Sequence, residues 1–220
     1  MGREIDLLEN YPKAKRNVLE RGASKTEEDR TLARQFGRDF FDGERRHGYG
    51  GFAYHPRFWQ PVIPTLQKTY ELTSCSSILD VGCAKGFMLH DLRELIPGIQ
   101  VQGVDVSEYA IDQSKEEVKP FLRVADARKL PFADKSYDVV ISINTVHNLE
   151  GDDLRQALLE IERVSRGKSF ITVDAYRTDE EKELMYAWNL TAKTILHMDE
   201  WKQLFDAVGY TGDYYWFMPS

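Results

Sequence analysis

The chain has 220 residues, 42% of them hydrophobic and 30% charged. That balance suits one compact domain, or a domain with a cap, and excludes a mostly disordered chain. The formal charge of −7 argues against a protein devoted to duplex nucleic acid or anionic lipid. Cys75 and Cys83 are too few for a disulfide framework, and no apolar run reaches the length of a membrane span. With a charged start, MGREIDLLEN, where a signal peptide would be apolar, a reduced, cytoplasmic compartment is expected.

Residues 1 to about 50 hold 11 basic and 10 acidic residues. In REIDLLENY, NVLERG and TEEDRTLARQFGRDFF sparse apolar residues recur at helical spacing, which predicts two or three amphipathic helices lying on something larger. Thr26 and Asp29 form a capping signal for the third. The stretch GERRHGYGGFAYHPRFWQPVIP, residues 43–64, has too many glycines and prolines for a regular helix over most of it, yet it is dense in aromatics. It reads either as a strap whose aromatics plug into the core or as a lid over a site.

From residue 76 the pattern alternates. SSILDVG (76–82), IQVQGVDVS (99–107), FLRVADA (121–127), YDVVISIN (137–144) and KSFITVDA (168–175) read as buried strands. GFMLHDLRELI (86–96), EYAIDQSKEEV (108–118) and DDLRQALLEIERVS (152–165) read as helices between them, while KLPFADKS stands in for one crossover helix. Two further helices, TDEEKELMYAWNLTAK and MDEWKQLFDAVGY, lead to a last extended segment, TGDYYWFM. Strands that are nearly all apolar, alternating with helices, predict a doubly wound α/β domain with a parallel sheet covered on both faces.

The chemistry gathers where strands turn into helices. In Asp80-Val81-Gly82-Cys83-Ala84-Lys85-Gly86 the glycines permit positive φ and close approach of a ligand to the backbone. Phe87 occupies the third glycine position of a dinucleotide fingerprint, which weakens a pyrophosphate reading. Asp105 closes the second strand, Asp126 the third and Asn144 the fourth, so four successive strands end in a polar residue at the carboxyl edge, where open α/β sheets bind ligands.

ILDVGCAKG, GVDVSEYAI, VADARKLPF and YDVVISINTVHNL resemble, in order and spacing, the motifs of class I S-adenosylmethionine-dependent methyltransferases, over residues 76 to about 175. Ala84 departs from the glycine many members carry. The resemblance implies a Rossmann-like, mostly parallel sheet of order 3-2-1-4-5 plus a C-terminal strand, with residues 1–60 as helical cap and lid and 61–220 as the cofactor-binding domain. It implies that Asp80 and the Gly82–Gly86 turn hold the methionine end of S-adenosylmethionine, with Cys83 a small filler beneath it. Asp105 would take the ribose hydroxyls and Val106 the adenine face. Asp126 and the Ala127 N–H would meet the adenine ring, and Asn144 would line the methionyl side. The family's sheet usually ends in a sixth strand and an antiparallel seventh. Here only TGDYYWFM follows the last helix, with Pro219 stopping it, so one strand is expected to be missing and the open edge covered by the N-terminal cap or by a second subunit.

His147 is the best-placed candidate for a catalytic base, the alternative being a hydrogen-bonded histidine at a loop–helix junction. Tyr49 and His55 are further candidates on the aromatic segment; His90 and His197 read as packing or surface. Arg45-Arg46 beside His47 and the cluster Lys13, Lys15, Arg16, Arg21 read as solvated charge rather than as phosphate or RNA contacts. Trp188, Trp201, Trp216 and Tyr214–Tyr215 read as core or interface. No metal-ligand cluster is present, so no metal requirement is expected. The expected activity is methyl transfer to a small polar metabolite, such as a sugar or phosphorylated compound. Methylation of RNA or protein, or cofactor binding without turnover, are the alternatives.

Overall fold

A computed structural model of the chain describes residues 2–12 and 25–218. The expected helix NVLERG, the cluster Lys13, Lys15, Arg16 and Arg21, and Pro219 lie outside the described residues.

Helices α1 (Glu27–Ala33), α2 (Arg38–Asp42) and α3 (Ile63–Tyr70) precede β1 (Ser77–Val81). There follow α4 (Phe87–Leu95), β2 (Gln100–Asp105), α5 (Glu108–Asp112), β3 (Leu122–Val124), β4 (Val139–Ile143) and α6 (Gly151–Val164). The chain then runs through β5 (Ser169–Tyr176), α7 (Asp179–Trp188), β6 (Leu196–His197), α8 (Met198–Val208) and β7 (Asp213–Phe217). Thr26 caps α1 through a full capping box with Asp29, as its spacing predicts. α5 is shorter than EYAIDQSKEEV suggests, because the Ser114 hydroxyl turns back to the Ile111 carbonyl and competes with the helix ladder. β3 keeps only three residues of FLRVADA.

The sheet is parallel, with order β3-β2-β1-β4-β5 and then β7, which runs parallel to β5 from Phe170↔Asp213 to Asp174↔Phe217. The two-residue β6 pairs with the last residues of β5. The C-terminal strand thus takes the sixth position, and among the described residues no antiparallel strand accompanies it. Strand side chains alternate between two cores. Ile78, Ile141 and Phe170 face Leu89 and Leu92 of α4. Leu79, Val140 and Ile171 face Leu158 and Ile161 of α6, with Trp201 and Phe205 of α8. Each such fully buried side chain contributes about 1.5–3 kcal/mol. Trp201, Tyr214 and Trp216 belong to this second core, as the packing reading has it.

The outer edge of β7 is covered by the chain's own start. Arg3–Ile5 run beside Tyr214: the Ile5 N–H donates to the Tyr214 carbonyl and the Tyr214 N–H to that of Arg3, both at 3.0 Å. The Arg3 guanidinium meets the Asp213 carboxylate at 2.7 Å, and the Tyr70 hydroxyl donates to the same carboxylate. REIDLLENY is therefore an edge-pairing segment followed by a turn, not a helix; pairing with a strand more than two hundred residues away overrides its helical spacing. With β7 covered in this way, the open edge that motivated a second subunit is closed by the same chain.

Candidate active site

The first turn after β1 does what its glycines allow. Gly82 has φ +87°, and a Cβ there would fall 2.0 Å from the Thr145 hydroxyl. Ala84 reaches φ +49° despite its methyl, and Gly86 opens α4 from the left-handed region. The Asp105 carboxylate, at the end of β2, ties this turn to the next: it accepts from the Ala84 N–H at 2.7 Å and from the Ser107 N–H at 2.8 Å. Burial nonetheless holds its acidity below that of an ordinary aspartate.

Asp80 is buried at the end of β1. Burial, and then the neighbouring Asp105 charge, push its carboxyl up to about 8, with no hydrogen bond opposing them. A buried acceptor with no protein donor, beside a turn with no room for a Cβ, is suited to an incoming cation such as an ammonium. Val106, just beyond β2, is 57% exposed, an apolar surface for a flat ring. Cys83 is buried and its thiol is pushed well up by burial, which suits a filler and not a nucleophile.

The remaining expected binding residues are engaged differently. The Asp126 carboxylate, just past β3, accepts from the Arg128 backbone N–H and guanidinium, and Arg128 also holds Asp153 at 2.8 Å. An adenine amino group would have to share or displace those contacts; the half-buried Ala127 follows it in the same turn. Asn144 lies past β4 at φ +51°, which asparagine tolerates. Its side-chain oxygen accepts from Thr172 of β5 at 2.9 Å.

The structure does not bring the three catalytic candidates together. His147 is buried, and its Nδ1 accepts from the Asp174 N–H at 2.8 Å. Burial lowers its basicity and raises the Asp174 carboxyl, so both shifts favour an uncharged pair, 3.4 Å apart. Its carbonyl also takes the N–H groups of Lys193 and Thr194, which anchors the loop before β6. Tyr49 packs among Phe40, Phe41 and Phe52. His55 is exposed, its Nδ1 accepting from the Arg57 N–H. His90 leans on Tyr54, and His197 caps α8.

The cap docks on this edge through contacts that no single motif announced. The strap lies along α4: Phe52 stacks on Phe87 at 5.0 Å, and the Tyr54 hydroxyl donates to the buried Asp91 at 2.6 Å. Asp42 of α2 binds the Lys85 ammonium from within the glycine turn at 2.6 Å and the Tyr109 hydroxyl at 2.7 Å. Lys85 in that turn was the only signal available in sequence. Arg46 is drawn into ion pairs with Asp29 and Glu44, and His47 meets Asp29 at 3.2 Å.

Residues 79–173 match the family described as a methyltransferase domain. Among curated proteins the chain is similar to malonyl-[acyl-carrier protein] O-methyltransferases. That of Legionella pneumophila is 30% identical over 133 residues, 59% of this chain and 46% of that one. That of Hahella chejuensis is 33% identical over 116 residues, 51% and 40% of the two chains. The chain thus spans less than half the length of these relatives. Among solved structures, YcgJ of Bacillus subtilis superposes with a TM-score of 0.56 at 19% identity, covering 66% of each chain. A chain of the Haloferax volcanii complex containing the Trm112 methyltransferase activator does so with 0.54 at 18% identity, over 90% of this chain and 77% of that one. These two likenesses concern the fold. With its glycine turn and acidic strand ends, the segment 79–173 is similar to that methyltransferase-domain family, and the parallel sheet has the Rossmann-like fold of class I S-adenosylmethionine-dependent methyltransferases.

Proposed function

We propose that the protein transfers the methyl group of S-adenosylmethionine to a small polar metabolite. The observation that carries this reading is the cap. α1, α2 and the strap pack over the carboxyl edge and are fastened to the glycine turn by the Asp42–Lys85 pair, so the crevice is roofed and favours an acceptor that fits beneath the roof. When bound, the cofactor supplies a methyl already activated on a sulfonium; the chain's part is to bind, align and exclude water.

Asp80 and the Gly82–Gly86 turn would hold the methionyl end, Asp105 the ribose hydroxyls, Val106 the adenine face, and Asp126 with Ala127 the ring edge. Asn144, fixed by Thr172, would border the methionyl side. His147, buried and uncharged, is assigned a holding role between β4 and β5, and Tyr49 and His55 stay with the cap. The two free thiols, exposed Cys75 and buried Cys83, suit a reducing cytoplasm.

The names of the curated relatives favour a second reading, an acyl group presented on a carrier protein. A labelled-methyl assay separates the two. The protein and methyl-labelled cofactor are incubated with a cell extract divided into small-molecule and macromolecular fractions. Label is expected in the small-molecule fraction; incorporation confined to protein or RNA would overturn the choice, and cofactor binding with no transfer to either fraction would leave a non-catalytic protein.

A further inference from the structure

α1 crosses the carboxyl edge. Just before it the Lys25 ammonium donates to the Trp188 carbonyl, and from within it Arg30 reaches the Asn189 carbonyl at 3.4 Å; both carbonyls lie at the end of the helix that follows β5. At its end the Phe36 carbonyl accepts from the Ser107 hydroxyl, two residues past β2. In the sheet β1 and β4, whose ends carry Asp80 and Asn144, lie between β2 and β5, so the two anchors of this segment stand on either side of them in strand order.

Arg34 closes this helix, one turn on from Arg30 and so on the same side. It is half-buried, and its Nε is shielded from solvent without a hydrogen-bond partner. Among the described residues it is the one arginine that is neither exposed nor engaged by a carboxylate, a carbonyl or a ring. Arg163, comparably placed on α6, is fully paired with Glu160 and Asp134. A guanidinium stays charged at every physiological pH, and leaving its Nε donor shielded and unmet is costly, so this position suits an external acceptor.

We propose that Arg34 receives an anionic group, a carboxylate or a phosphate, of the methyl acceptor beneath the cap. This rests on the methyl-transfer reading and narrows its substrate to an anionic metabolite. A guanidinium fork pairs with either group through two parallel hydrogen bonds.

The test titrates the full chain, saturated with S-adenosylhomocysteine, with malonate, methyl phosphate and uncharged malonamide in turn. Saturable binding of at least one anion and none of malonamide is expected, and whichever anion binds more tightly names the group. Arg34→Gln is expected to weaken that binding roughly 10- to 100-fold, with Arg34→Lys between. Arg155→Gln, an exposed position on α6, should leave it unchanged. Equal anion binding by Arg34→Gln, equal binding of malonamide, or no anion binding at all overturns the assignment while S-adenosylhomocysteine still binds. Failure of S-adenosylhomocysteine itself to bind would instead remove the methyl-transfer reading, and the assignment with it.

Discussion

Asp105→Ala is expected to weaken S-adenosylmethionine binding by about 2–4 kcal/mol, roughly 30- to 1000-fold. Two effects add in the same direction. The carboxylate that would accept from the ribose hydroxyls is lost. The N–H groups of Ala84 and Ser107, which it now holds at 2.7 and 2.8 Å, lose the acceptor that joins the glycine turn to the start of α5. Calorimetric titration of the variant reads the affinity, and a melting curve of the ligand-free protein shows whether the fold survives. An unchanged affinity in a folded variant would mean that the ribose lies elsewhere.

The second large effect is one of pH. With its carboxyl pushed up to about 8 by burial and by Asp105, Asp80 is largely protonated in the free protein near neutrality. An ammonium brought against it favours the ionised form, so binding expels a proton. Affinity should therefore rise with pH between about 6 and 7.5, by at most about tenfold per unit. The stability of the ligand-free protein should move the other way. A carboxyl with a raised folded-state value stabilises fully below its unfolded value, and that contribution is lost as pH rises through the folded one. Asp80→Asn should flatten the binding profile and lower affinity at its upper end. Titration in buffers of different ionisation enthalpy counts the released proton; none released, with a flat wild-type profile, would contradict a cation at this carboxylate.

The parallel sheet was legible because its strands are buried on both faces and so read as short apolar runs, each closed by a polar residue. Ile78-Leu79 and Val140-Ile141 each divide between two cores, and only a sheet covered on both sides asks for that. The site's backbone was legible for a related reason: Gly82, Gly86 and the row Asp80, Asp105, Asn144 are local features of strand ends. What escaped reading depends on distant partners. Arg3–Ile5 looked helical by spacing, and their pairing is decided by β7 at the other end of the chain. His147 stands next to a strand end in sequence, but only the packed fold buries it and turns its Nδ1 onto the Asp174 N–H. The Asp42–Lys85 pair joins residues 43 apart, and neither carries a mark of the other. Arg34 was one charge among many until its neighbours' partners were known and its own was missing.

The claim on which everything turns is that the ends of β1, β2 and β4 grip one adenosyl sulfonium. A calorimetric titration of the full chain with S-adenosylmethionine, repeated with S-adenosylhomocysteine, tests it without knowledge of the acceptor. The account predicts saturable binding of both at one site per chain, abolished or strongly weakened in Asp105→Ala. Absence of heat and of saturation with either compound, in protein shown to be folded, would contradict it.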